Sequence, residues 1–164
     1  LKGVMPENFN EIVDFYNESY NFCGSPKTCV YDGMTELLKK LKKEGYLLAV
    51  VSNKPQDGTT EVIRKFFGDG LFDYVYGQRE GVKTKPDKEP VEIVLKALNV
   101  SKKDAVYVGD SEVDALTAIN ADLYGISVLW GFREKSLLIE TGAVNFAENA
   151  SELHKIIENH FKNR

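Results

Sequence analysis

Short apolar runs alternate with helical stripes along most of this 164-residue chain. Met34, Leu37, Leu38 and Leu41 recur at i, i+3, i+4 and i+7, the spacing of one helix face, and Gly45 ends the stripe. Tyr46–Val51 then reads as a strand, Val62, Ile63, Phe66 and Phe67 as a second helix, and Phe72–Tyr76 as a second strand. The alternation continues with a helix through Val91, Val94, Leu95 and Leu98, a strand at Ala105–Val108, a helix over 111–120 and a strand at Leu123–Leu129. A short helix at Ser136–Glu140, a short strand at Ala143–Phe146 and a helix lined by Leu153, Ile156, Ile157 and Phe161 complete the pattern. Such alternation predicts an α/β fold, a Rossmann-like parallel sheet with helices on both faces. Residues 8–22, with Ile12, Val13, Phe15, Tyr16 and Tyr20, predict a helix outside this alternation. A turn-rich break at Cys23–Lys27 separates it from the rest. Residues 1–28 are therefore expected to be a separate helical piece and 29–164 the α/β core.

In open parallel sheets ligands bind beyond the carboxyl ends of the strands, and three predicted strand ends carry polar groups. Ala105–Val108, expected to be buried on both faces, runs through Gly109 into Asp110. Asp114 follows one helical turn later. Two hard oxygen ligands without His or Cys nearby suit Mg²⁺ better than a transition metal. The same two residues would also serve as a helix cap and a partner for the helix dipole. Ser52 and Asn53 follow the first strand, where a hydroxyl and a backbone amide can hold a phosphate oxygen, or simply make a turn. Lys85 precedes Pro86, which biases its backbone to an extended form and presents its ammonium as a fixed charge. Lys83 and Lys88, in the same lysine-rich loop, read as solvated.

Composition narrows the possible partners. A formal charge of −4 gives no basic surface for nucleic acid, and no apolar run approaches membrane-spanning length. Two cysteines, Cys23 and Cys29, point to an intracellular, cytoplasmic setting rather than a disulfide framework. His154 and His160 read as surface residues of the last helix.

The segments VVSNK, then KP before a helix, then VGDSEVD, in this order and on these elements, resemble the haloacid dehalogenase-like hydrolases. Together with the later ISVLWGF, residues 126–132, the pattern is most similar to the phosphoglycolate phosphatase group. The resemblance implies a Mg²⁺-dependent phosphatase of small phosphate monoesters working through an aspartyl-phosphate. By position it gives Ser52 and the Asn53 backbone the transferring phosphoryl group, Lys85 its charge, Asp110 the metal, and Asp114 a place on the metal or just behind it. It further implies a small phosphorylated metabolite as substrate and a monomer or homodimer. Metal ligation by Asp110 disfavours the dehalogenase branch. A sugar-phosphate mutase, or a non-catalytic binding or regulatory protein on the same fold, are the alternatives. A receiver-type phosphoacceptor fits less well, because its acidic cluster should lie at an early strand.

The family's first strand ends in D-x-D, and no D-x-D occurs in this sequence. Asp32-Gly33-Met34-Thr35 imitates part of the motif, but Val30 stands where the nucleophile would be. The expectation is that the sequence starts inside the family's helical cap, after the nucleophile strand, with 1–28 as the last part of that cap. The strand belongs between the Ser52 and Asp110 strands. Those two strands should then either flank an empty position or close against each other.

Overall fold

The computed structural model describes Glu11 and residues 28–162. The chain divides into two units, Leu1–Val30 and Tyr31–Arg164, and the second holds the α/β elements. The expected helix over 8–22 and the break at Cys23–Lys27 lie outside the described residues.

Asp32 and Gly33 form a turn, and Gly33 takes a left-handed φ of 75° directly before helix α1, Met34–Lys43. Asp32 is thus an exposed turn residue at a helix start and not the end of a strand. There follow β1 (Ala49–Pro55), α2 (Gln56–Phe67), β2 (Tyr74–Gln78), α3 (Glu89–Leu98), β3 (Val106–Gly109) and α4 (Glu112–Ala121). Strand β4 (Tyr124–Val128), α5 (Lys135–Glu140), β5 (Phe146–Ala147) and α6 (Ala150–Lys162) complete the unit. All strand pairs are parallel.

The first strand starts three residues later than its apolar run suggests. Leu48 is held instead by Asp73, whose carboxylate accepts from the Leu48 amide at 2.8 Å and whose own amide donates to the Leu48 carbonyl at 2.7 Å. At its other end β1 continues through Ser52 and Asn53 to Pro55, with a break in register against β2 between Val51 and Pro55. Ser52, Asn53 and Lys54 thereby leave the regular ladder where the strand nears the site.

One hydrophobic cluster joins α1, β4, β5 and α6 through Leu37, Leu41, Ile126, Val128, Ala147, Leu153 and Ile157, with Leu48 from the run before β1. Trp130, just past β4, packs against it. Burial of these side chains is the main stabilising contribution on that side of the sheet.

The sheet falls into two parts, β1–β2 and β3–β4–β5. Strands β1 and β3 are not hydrogen-bonded to each other, so closure of one against the other does not occur. Accordingly β3 is not buried on both faces as its apolar sequence predicts: Val108 is 38% exposed. Among the described residues β3 pairs with β4 alone, and a β-branched residue on such a strand loses the cover a second neighbour would give. From this interruption the chain steps outward in opposite directions, from β1 to β2 and from β3 through β4 to β5. That is the topological switch point at which open α/β sheets place their ligands.

His154 is buried, contrary to the sequence reading. The apolar face of α6 that seats Leu153 and Ile157 also turns the imidazole toward α1, where Nε2 lies 2.9 Å from Glu44 Oε2. His160 is half-buried, its ring 3.9 Å from that of Tyr124.

Candidate active site

The carboxyl ends of β1 and β3 are brought together by one lysine. Asn53, at the end of β1, grips the Lys85 backbone from both sides: its side-chain oxygen accepts from the Lys85 amide at 2.8 Å, and its Nδ2 donates to the Lys85 carbonyl at 3.0 Å. Pro86 is held in turn, its carbonyl accepting from Asn120 Nδ2 at 2.8 Å. The Lys85 ammonium then donates to Asp114 Oδ1 at 2.7 Å, with both side chains about seven-eighths buried. The sequence reading credits the proline with fixing this lysine, but the side chain of Asn53 does the holding. The neighbouring lysines behave as expected. Lys83 is exposed and pairs with Asp87, and Lys88 pairs with Glu92 one turn along its helix.

Asp114 has no free oxygen. Besides Lys85, Oδ1 lies 3.3 Å from the Tyr107 hydroxyl, which donates to it. Oδ2 accepts from Ser111 Oγ at 2.6 Å and from the Asp110 amide at 3.3 Å. Ser111 is the helix cap, since its Oγ also accepts from the Asp114 amide at 3.3 Å, a reciprocal arrangement resembling a capping box. Burial pushes the Asp114 carboxyl up, but the Lys85 ammonium and the hydrogen bonds outweigh it and hold the group below its ordinary value. Burial and the adjacent Asp114 carboxylate push the Tyr107 phenol well above its ordinary value, so it stays a neutral donor.

Asp110 is left in a different state. Its Oδ2 accepts from the Phe132 amide at 3.0 Å, and among the described residues Oδ1 has no hydrogen-bond partner. This half-buried carboxylate, open at one oxygen beside the strand ends, fits a hard divalent cation that keeps several waters. Ser52 is half-buried on the facing strand end, its Oγ accepting from the Lys54 amide at 3.1 Å. A second group of ligand-type side chains, Glu44, His154 and Glu158, sits between α1 and α6. There Nε2 faces Glu44 while Nδ1 faces Glu158 at 3.6 Å and Lys40 at 3.5 Å. One ligand atom from each of the three lies within 4.8 Å of the others, a group that could hold a metal ion, and the Lys40 ammonium stands beside it.

Close packing sets the Asp114 position from below. A Cβ on Gly109 would overlap Asp114 Cβ and Cγ and stand 2.8 Å from Oδ2. Gly109→Ala is therefore expected to push the aspartate off its lysine and cost roughly 1–3 kcal/mol as an overpacked site. Urea denaturation of the two proteins checks this, and an unchanged midpoint would show that the site yields without loss.

Tyr107, Ser111, Gly131 and Phe132 did not stand out as site residues in the sequence. For Ser111 a signal was present, the S-x-x-D spacing that opens a helix.

Residues 2–128 match the haloacid dehalogenase-like hydrolase family. The phosphoglycolate phosphatase of Psychrobacter arcticus is 31% identical over 126 residues, which are 77% of this chain and 55% of that protein. The pyrophosphatase PpaX of Listeria monocytogenes is 29% identical over 158 residues, 96% of this chain and 72% of that protein. A Caldanaerobacter subterraneus relative is 32% identical over 143 residues, and the chain spans 64% of its length. The crystal structure of a predicted phosphatase from Clostridium acetobutylicum superposes with a TM-score of 0.84 at 28% identity, covering 93% of this chain and 71% of that one.

Proposed function

Since the chain belongs to the haloacid dehalogenase-like hydrolase family, we propose that it supplies the phosphate-binding and metal-binding half of a Mg²⁺-dependent phosphatase acting on small phosphate esters through an aspartyl-phosphate. The observation that carries this reading is the buried Lys85–Asp114 pair, fixed across the ends of β1 and β3 beside the open oxygen of Asp110. Phosphoryl transfer asks the protein mainly for position and charge, and these residues can supply both.

In this reading the Ser52 hydroxyl and the Asn53 backbone amide hold oxygens of the transferring phosphoryl group. The Lys85 ammonium neutralises its charge and keeps its distance through Asn53 and Asp114. Asp110 holds the metal directly. Asp114, with every lone pair engaged by protein donors, acts through Lys85. Bound Mg²⁺ would polarise the phosphoryl oxygens and offset the negative charge between them and the attacking carboxylate. The nucleophile is an aspartate this sequence does not contain. Its carboxylate attacks phosphorus, the bond to the leaving oxygen breaks, and a second aspartate two residues on returns a proton to that oxygen. Water then cleaves the acyl phosphate. In this reading the strand carrying D-x-D would lie between β1 and β3, which are not hydrogen-bonded to each other.

The substrate class follows the relatives, phosphoglycolate and pyrophosphate among them. The test joins a D-x-D strand from such a relative ahead of Leu1, giving a completed protein. Over a panel of small phosphoesters and pyrophosphate, the chain alone should release no phosphate and the completed protein should turn over. Hydrolysis by the chain alone, abolished by Asp110→Asn, would show that the nucleophile lies within it and sink this assignment.

A further inference from the structure

The six residues Leu129–Glu134, between β4 and α5, pass over Asp110 and are tied down on both sides of it. On one side Trp130 packs against the hydrophobic cluster. On the other, Arg133 makes a two-point ion pair with Glu112, Nε to Oε2 at 2.7 Å and Nη2 to Oε1 at 2.9 Å. Glu112 is the first residue of α4, two positions after Asp110, so the tether reaches back to the element that carries the aspartate. Between these anchors the backbone lies flat on the carboxylate. The Phe132 amide donates to Asp110 Oδ2, and a Cβ on Gly131 would overlap Asp110 Cβ and stand 2.5 Å from Oδ2 and 2.7 Å from Cγ. No other residue type could bring the chain this close. The Phe132 ring points away, 74% exposed, with the Arg133 guanidinium 4.7 Å from its centroid. It is the backbone at 131–132, not the aromatic ring, that meets Asp110.

We infer that the Gly131–Phe132 segment is a positioning device that occupies Asp110 Oδ2 and thereby presents Oδ1 alone to the cation. The inference rests on the assignment of Asp110 as a metal ligand. A carboxylate with one oxygen claimed by a backbone donor binds through the other, and Mg²⁺ demands near-octahedral angles that a carboxylate gripping with both oxygens would distort. Hydrogen bonds to a ligating carboxylate are the kind of outer support whose loss typically costs about 10–100-fold in metal affinity. Gly131 removes the steric obstacle, Phe132 supplies the donor, and Trp130 and the Arg133–Glu112 pair stop the segment from lifting.

The experiment titrates Mg²⁺ alone into the completed protein by calorimetry and, in parallel, follows melting in EDTA. Gly131→Ala should weaken Mg²⁺ binding by about 10–100-fold, and, since its Cβ meets an overlap like that at Gly109, the metal-free melting temperature should fall as it does for Gly109→Ala. Arg133→Met, which removes a half-exposed tether and leaves the core untouched, should weaken it in the same direction by less. If Gly131→Ala fails to fold, Arg133→Met decides alone. Wild-type Mg²⁺ affinity in Arg133→Met and in any folded Gly131→Ala protein, with Asp110→Asn unable to bind, overturns the positioning role and leaves Asp110 as the ligand. Wild-type affinity in Asp110→Asn overturns the ligand assignment itself.

Discussion

Replacing Lys85 with methionine is expected to be the most damaging single change in the site, in stability and turnover together. Methionine keeps much of the length and apolar stem but leaves the Asp114 carboxylate buried without its counter-charge. Breaking a buried pair by removing one partner costs about 3–5 kcal/mol, a large share of the roughly 5–15 kcal/mol that holds a domain together. The pH dependence has a definite sign. In the unaltered protein the Asp114 carboxyl is held below its ordinary value, so the pair contributes stability that is complete above the unfolded-state value of about 4. That contribution is lost as pH falls through the lower folded value. Without Lys85, burial is no longer outweighed and the folded carboxyl rises relative to the parent. The stability gap between Lys85→Met and the parent should therefore be widest near neutral pH and shrink as the solution is acidified. Urea denaturation at a series of pH values measures it. A gap that stays constant would mean the pair contributes nothing through charge. Lys83→Met and Lys88→Met, which remove exposed ion pairs, should leave the urea midpoint close to the parent's.

The second large effect belongs to Asp110. In the completed protein Asp110→Asn preserves shape and retains an oxygen for the Phe132 amide, so the fold should survive. What goes is the charge that, in the proposed site, would hold the cation. Metal polarisation is worth several kcal/mol of transition-state stabilisation, so turnover should fall by about a hundredfold or more, with Mg²⁺ affinity lowered in step. Phosphate release and calorimetric titration report the two quantities separately. Full activity with undiminished affinity would take Asp110 out of the site. Asp114→Asn should differ in kind. It weakens the anchor of Lys85 and should lose stability before it loses metal.

Much of this was legible in the chain because it is written locally. The 3.6-residue stripes of α1 and α3, the apolar run of β4, and an aspartate at the end of a short β-branched run are each contained within about a dozen residues. What could not be read depends on partners remote in sequence. Asn53 passes for a turn residue until its amide is seen closing on a backbone 32 positions away. Asp110 meets Phe132 across 22 positions, and His154 meets Glu44 across 110. Each of those contacts is a polar side chain answering a group on another element, and periodicity carries no record of such pairings. The half-exposed β3 has a related cause. Its residues are those of a buried strand, but among the described residues it has no second strand beside it, and Val108 is 38% exposed.

The depth of the Lys85–Asp114 pair also settles how the site responds to ionic strength. Mobile ions screen charges they can surround, over a Debye length of about 8 Å in physiological salt. With side-chain exposures of only 13% and 12%, Lys85 and Asp114 admit almost none of that atmosphere. Arg133 and Glu112, at 38% and 30%, are open to it. Rising salt should therefore slacken the tether over Asp110 while the lysine keeps its place, so that in the proposed site the hold on the cation would weaken in brine well before the seat for phosphate does.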